Sequence, residues 1–204
     1  MANVLRIDSS ARSDGSVSRE MTDNFIESWV KNHPSDVVTI RDLVKTPPPH
    51  ITEMTIGAFY TPEDQQIPEM KTAIALSDEL IDELEAADIV VISAPMYNFG
   101  IPSSLKAYID QIVRIGRTFS MDENGPKGLI GSKKVFILTA RGSVYSEGPL
   151  AAYDQLVPYM STVLGFLGMI DVTYINTEGA TSDPAVLEES IATSRELIQK
   201  VTAA

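Results

Sequence analysis

The sequence predicts an open, doubly wound α/β domain: five parallel strands in the order 2-1-3-4-5 with helices on both faces. Three observations predict it. Apolar, strand-like runs alternate with stretches of helical periodicity five times along 204 residues. One run, DIVVISA (Asp88–Ala94), is almost continuously apolar, as suits a parallel strand covered on both faces. The alternation also has too few units for an eight-fold barrel. No repeat, low-complexity tract or shift of composition divides the chain, so residues 1–204 read as one domain.

The elements follow in order. NVLRID (Asn3–Asp8) is the first strand. In VSREMTDNFIESWVK, Met21, Phe25, Ile26, Trp29 and Val30 recur at helical spacing. VVTIRDL (Val37–Leu43) is the second strand, and TPPPH then ends regular structure. Residues 46–66 are expected to form an irregular loop carrying Phe59 and Tyr60. A loop of ~20 residues in a compact domain tends to be functional. A long helix, Pro68–Ala87, places Met70, Ile74, Leu80, Ile81 and Leu84 on one stripe, and the third strand, DIVVISA, follows it. The next helix, Pro102–Ile115, turns Leu105, Tyr108, Ile109, Ile112 and Val113 inward. RTFSMDENGPKGLIG is expected to be a polar, glycine-rich connection. KKVFILTA (Lys133–Ala140) is the fourth strand. LAAYDQLVPYMSTVLGFLG reads as a helix that Pro158 should kink or break. IDVTYIN (Ile170–Asn176) is the fifth strand, and the last helix starts with Asp183 as N-cap and Pro184 in its first position.

Composition excludes several function classes. The net charge is −12 and no basic stripe is visible, which argues against a general nucleic-acid binder. No apolar run approaches the ~18 residues of a membrane span, so no membrane partner is expected. MANVLRIDSS lacks the pattern of a secretory signal, and the chain has no cysteine, so a cytoplasmic location is expected. The two histidines, His33 and His50, are too few and too far apart for a histidine metal cluster.

Three loops leave the carboxyl ends of strands one, three and four, where this fold binds ligands. DSSARSDGSVSRE carries Ser9, Ser10, Ser13, Ser16 and Ser18, and Ser16 or Ser18 should cap the first helix. Serine hydroxyls and free N–H groups at a helix N-terminus make a phosphate site. Neither G-x-x-x-x-G-K-[ST] nor G-x-G-x-x-G is present, so a single phosphate fits better than a pyrophosphate. SAPMYNFGIP puts Tyr97, Asn98 and Phe99 in a turn stiffened by two prolines. TARGSVYSEGP offers backbone donors at Gly142 and Ser143, while Arg141 could meet a ligand or pair with a carboxylate. A terminal phosphate site, an aromatic turn and a row of donors together suit flavin mononucleotide (FMN). The donors would stabilise negative charge on the reduced ring, and an N–H of the turn would meet N5.

APMYNF (Ala94–Phe99), the serine loop, ENGPKGL (Glu123–Leu129) and TARG (Thr139–Gly142) resemble the FMN-dependent NAD(P)H:quinone and azobenzene oxidoreductases, the bacterial azoreductases. LSDELI (Leu76–Ile81) and YMSTVLGFLG (Tyr159–Gly168) extend the resemblance over nearly the whole chain. It implies a flavodoxin-like fold. It implies that Ser10, Ser16, Val17 and Ser18 hold the FMN phosphate. Pro95, Met96, Tyr97, Asn98 and Phe99 would contact the isoalloxazine, and Ala140, Arg141, Gly142 and Ser143 its pyrimidine edge. It implies a homodimer in which Phe119, Met121 and Phe166 cover the flavin of the other subunit, with Phe59 and Tyr60 in the substrate wall. The chain departs from the family at Ala140 and Ser143, where serine and glycine are usual, and at Phe59, where some relatives are basic. The implied activity is ping-pong transfer of two electrons from NADH or NADPH to quinones or azo compounds. No side chain is assigned as an essential acid or base; Tyr145 is a candidate for donating or orienting a proton. A flavodoxin-type electron carrier is the competing reading, favoured by the acidic surface and disfavoured by the long substrate-wall loop. A phosphoryl receiver would need an aspartate at the end of the third strand, where Ser93 and Pro95 stand.

Overall fold

In the computed structural model, residues 1–131 and 133–203 are described. In chain order the elements are β1 (Asn3–Asp8), α1 (Val17–Asn32), β2 (Val37–Asp42), α2 (Glu53–Tyr60), α3 (Pro68–Ala86), β3 (Ile89–Pro95), α4 (Ser103–Ile112), β4 (Phe119–Asp122), β5 (Gly125–Gly128), β6 (Lys134–Ala140), α5 (Leu156–Phe166), β7 (Asp171–Thr177) and α6 (Pro184–Thr202). The main sheet has the order β2-β1-β3-β6-β7 and every pairing in it is parallel. This is the predicted 2-1-3-4-5 arrangement, with β6 and β7 as its fourth and fifth strands.

The continuous apolarity of β3 has the expected cause. Successive strand side chains point to opposite faces. Val90 and Ile92 join a core with Leu5, Ile7, Val135 and Ile137 under α3, α4 and α5. Ile89 and Val91 join a second core with Val4, Phe136 and Leu138 under α1 and α6. In α1 the rings of Phe25 and Trp29 stack at 5.8 Å, and Phe25 meets Phe136 at 4.8 Å. Fully burying each such side chain contributes roughly 1.5–3 kcal/mol. At the sheet edge, β2 leaves Val37 and Ile40 exposed.

Three expectations are corrected. Residues 46–66 are not irregular throughout: α2 occupies their centre, followed by a 3₁₀ turn at Glu63–Gln65. Thr52 caps α2, and the Thr55 hydroxyl accepts from the Thr52 N–H in return, so two hydroxyls start the helix where a glutamate usually completes this box. The polar connection contains an antiparallel hairpin, β4–β5. Its turn is set by the Asn124 N–H on the Asp122 carboxylate at 2.7 Å and by Gly125 at φ 106°. Lastly, the expected helical run is interrupted ahead of Pro158, not at it. The helix begins only at Leu156, after a 3₁₀ turn at Ala151–Tyr153, and Asp154 accepts from the N–H groups of Leu156 and Val157. Proline then falls in the first turn, where its missing N–H costs nothing. Among the described residues no helix is long and apolar enough to cross a membrane.

Candidate functional site

The carboxyl ends of β1, β3 and β6 lie side by side, with Asp8 opposite Ser93 and Pro95 opposite Ala140. Three loops start there. The first runs from Ser9 to Ser16. Both the N–H and the hydroxyl of Ser9 donate to the Ser93 carbonyl, at 3.2 and 2.6 Å, which pins the loop to the neighbouring strand. Ser16 caps α1 by accepting from the Arg19 N–H. Its hydroxyl donates to Ser10 Oγ at 2.8 Å and lies 3.4 Å from Ser18 Oγ. All three serines are buried. The N–H groups of Val17 and Ser18, at the first two helical positions, have no intrahelical carbonyl to bond. Three hydroxyls linked through Ser16 and two unspent N–H groups therefore meet at one helix end.

A charge network underlies this loop. The Arg19 guanidinium donates to the Ser10 carbonyl at 3.3 and 2.9 Å and binds both oxygens of Asp42, at 2.9 and 3.0 Å. It also lies 3.4 Å from Asp8, which pairs with Arg6 at 3.0 Å. Burial pushes the Asp8 carboxyl above its usual range, against the pull of Arg6 and Arg19. Burial acts upward on Asp42 too. The Arg19 guanidinium and the N–H groups of Val44 and Lys45 outweigh it and hold Asp42 down at about 2.

The second loop is the aromatic turn. Tyr97 N–H donates to Gly100 O at 3.0 Å, and Gly100 N–H to Tyr97 O at 3.1 Å. Between them Asn98 (φ 49°) and Phe99 (φ 72°) are both left-handed. That is the backbone of a two-residue type I′ turn, which glycine and asparagine tolerate and phenylalanine does not favour. Such residues cost of order 1–3 kcal/mol each and persist only when their surroundings hold them. Here the surroundings do. Gln155 N–H donates to Phe99 O at 2.9 Å, and the Phe99 ring lies 6.5 Å from Tyr145 and 5.5 Å from Tyr153. Tyr97 Oη accepts from the Ala11 N–H at 3.2 Å, tying the turn to the serine loop. Met96 N–H donates to Ala140 O at 2.8 Å, tying it to the third loop. Tyr97, Asn98 and Gly100 line a groove of about 610 Å³ with Lys106, Gln155 and Tyr159.

The third loop follows β6. The sequence leaves Arg141 between a ligand contact and a carboxylate pair, and its side chain takes the second course. The guanidinium is buried and pairs with Asp154 and Glu178, both at 3.2 Å. Its backbone N–H and C=O are spent on Thr177 and Ala180. Glu178 also accepts from the N–H groups of Tyr145 and Ser146, at 2.8 and 3.0 Å, and from the Ser146 hydroxyl at 2.6 Å. The N–H groups of Gly142, Ser143 and Val144 have no protein partner among the described residues. At Gly142 a Cβ would come within 2.7 Å of Thr181 Oγ1, so the backbone is held close to the loop after β7.

The remaining candidates lie elsewhere. Phe59 is on α2, with the Arg114 guanidinium 5.3 Å above its ring, and Tyr60 beside it is exposed. Phe119 on β4 faces Phe166 on α5 at 4.7 Å, and Met121 is exposed. Leu167 is fully buried whereas Phe166 is only half-buried, so the two adjacent side chains do part. Sequence reasoning missed Arg19, Asp154 and Glu178, which shape these loops. For Glu178 a signal existed: it stands directly after the last strand, at the ligand-binding edge of the sheet.

With this geometry in view, the comparisons with known proteins are consistent among themselves. A family model described as "Flavodoxin-like fold" matches residues 2–201. FMN-dependent NADH:quinone oxidoreductase 2 of Trichormus variabilis is 51% identical over 205 residues, covering 100% of this chain and 99% of that protein. A protein named FMN-dependent NADH:quinone oxidoreductase from Hydrogenovibrio crunogenus is 46% identical, with 98% of each chain covered. Among solved structures, an azoreductase from Bacillus anthracis superposes with a TM-score of 0.93 at 34% identity, covering 100% of this chain and 99% of that one. An FMN-dependent NADH-azoreductase from the same species, solved in complex with FMN, superposes with a TM-score of 0.88 at 25% identity, covering 99% of this chain and 100% of that one. The chain belongs to the flavodoxin-like family, on the branch of the FMN-dependent NADH:quinone oxidoreductases and azoreductases.

Proposed function

We propose that this chain is an FMN-dependent oxidoreductase that carries two electrons from NADH or NADPH to quinones or azo compounds, working as a homodimer. One observation carries the reading: three adjacent loops converge with complementary unspent groups, namely hydroxyls and N–H donors, a rigid aromatic turn, and a row of backbone donors. FMN fits this set. Ser10, Ser16 and Ser18, with the N–H groups of Val17 and Ser18, would hold its phosphate. The turn from Pro95 to Phe99 would bear on the ring system, and Gly142 and Ser143 would donate to its polar edge. When bound, FMN supplies the two-electron chemistry that no side chain here can supply.

The chain's own residues bind, orient and shield. Arg19 is committed to the Ser10 carbonyl and to Asp42, so it braces the serine loop, and the donors for an incoming phosphate are the hydroxyls and N–H groups themselves. The strained turn sets its N–H groups before any ligand arrives, so no reorganisation accompanies the reaction. Exposed Met121 and half-buried Phe166 support the shared-site dimer: they are apolar surface that a second copy would cover. The names of the relatives favour an enzyme over an electron carrier.

The test is direct. The purified protein should be yellow, release FMN rather than FAD on denaturation, and oxidise NADH or NADPH only when a quinone or azo compound is supplied. A colourless protein that neither binds added FMN nor turns over would overturn the proposal.

A further inference from the structure

The donor row of the third loop is aimed by the segment that follows β7. Three successive carbonyls of the loop are held on that side. Arg141 O accepts from Ala180 N–H at 2.9 Å, and Ser143 O from Gly179 N–H at 3.5 Å. Between them, Gly142 O accepts from the Thr181 N–H at 2.9 Å and from the hydroxyls of Thr181 and Ser182, each at 3.1 Å. A trans peptide points its C=O and the following N–H in opposite directions. Fixing these three carbonyls therefore turns the N–H groups of Gly142, Ser143 and Val144 outward as one row. The next two N–H groups, of Tyr145 and Ser146, are taken by Glu178, so the row ends there. Glu178 is fixed in turn, since its own N–H donates to Ser190 Oγ at 2.8 Å.

We propose that Thr181 and Ser182, anchored through Glu178, are positioning residues that hold the donor row Gly142–Val144 against the polar edge of bound FMN and thereby set its reduction potential. The inference rests on the FMN reading above. Neither hydroxyl needs to touch the cofactor. Each acts through the Gly142 carbonyl. N–H dipoles stabilise charge that develops on a ring only if they are aimed beforehand, and a loosened loop loses part of that preference for the reduced form.

The test compares holoprotein with wild-type residues, the double variant Thr181→Val/Ser182→Ala, and the hydroxyl-retaining double variant Thr181→Ser/Ser182→Thr. Both positions are exposed, so folding is not at stake. No charge is altered, so a shift cannot come from a lost ion. The readout is the two-electron potential of bound FMN by equilibration with a reference dye, with the affinity of oxidised FMN measured alongside. The Val/Ala variant should favour the oxidised form by about threefold to tenfold, and tenfold is about 30 mV for two electrons. Its affinity for oxidised FMN should fall by less than that ratio, and the Ser/Thr variant should match wild type. An unchanged potential in the Val/Ala variant with FMN bound overturns the brace alone. Failure of wild-type protein to bind FMN overturns the functional reading and the brace together.

Discussion

Replacing Ser18 with alanine isolates the phosphate contact from the fold. The Ser18 hydroxyl is fully buried and its neighbour in the structure is Ser16 Oγ, at 3.4 Å. Ser16 itself is less clean, because it also caps α1, and losing a serine cap costs about 1 kcal/mol of stability. A hydrogen bond to a charged group is worth about 1.5–3 kcal/mol. At about 1.4 kcal/mol per tenfold, Ser18→Ala should weaken FMN binding by between about tenfold and 150-fold. Riboflavin has the same ring system and no phosphate, so its affinity should change by less than about threefold. Both constants come from quenching of flavin fluorescence in one titration series. A thermal melt run beside it should move little for Ser18→Ala and fall for Ser16→Ala. Equal losses for FMN and riboflavin would refute the assignment of the phosphate to this loop.

Asn98→Ala should slow reduction of the bound flavin by NAD(P)H in stopped-flow measurements with the fold intact, because a left-handed φ of 49° costs alanine about 1–2 kcal/mol and lets the turn move; unchanged rates would make the turn purely structural. Phe166→Ala should raise the KM for quinones and weaken the dimer in sedimentation, whereas a stable, fully active monomer would remove the shared site. The Arg19–Asp42 pair makes stability depend on acid. Asp42 is held down at about 2, below its unfolded value of about 3.9, so the unfolded chain binds its proton first and stability rises with pH across that window. That contribution is present above about pH 4 and disappears as pH falls toward 2, and urea midpoints of Asp42→Asn should show a flatter acid limb than wild type.

Much of the fold was legible because it is written in local periodicity. The five strands of the sheet, their order and the cap at Asp183 follow from alternation and from single residues next to apolar runs, and the cap of the first helix is narrowed to Ser16 or Ser18, of which the structure uses Ser16. What escaped had no such period. Helix α2 is eight residues long, buries only Thr55 and Ala58, and starts on two threonines. In the β4–β5 hairpin only the four residues of β4 alternate apolar and polar, too short a run to stand out, and β5 is Gly-Pro-Lys-Gly. The hairpin is held from outside, where Gly128 lies so close to the Leu167–Gly168 backbone that a Cβ would come within 2.2 Å of it.

The candidate site divides the same way. The sequence by itself singled out these loops as candidates for ligand chemistry, because serine, asparagine and aromatic residues stand out at the carboxyl ends of apolar strands, and there the winding of the sheet reverses. Only the tertiary structure decided what each group in those loops is free to do. Arg141 is turned to carboxylates because Asp154 and Glu178 reach its guanidinium from other elements, and Phe99 keeps its left-handed backbone because Gln155 and two tyrosines hold it. The donors at Gly142, Ser143 and Val144 stay open because Gly179 to Ser182 take the carbonyls behind them. Most of those partners lie tens of residues away along the chain, and a hydrogen bond across such a distance leaves no pattern in the sequence around either end.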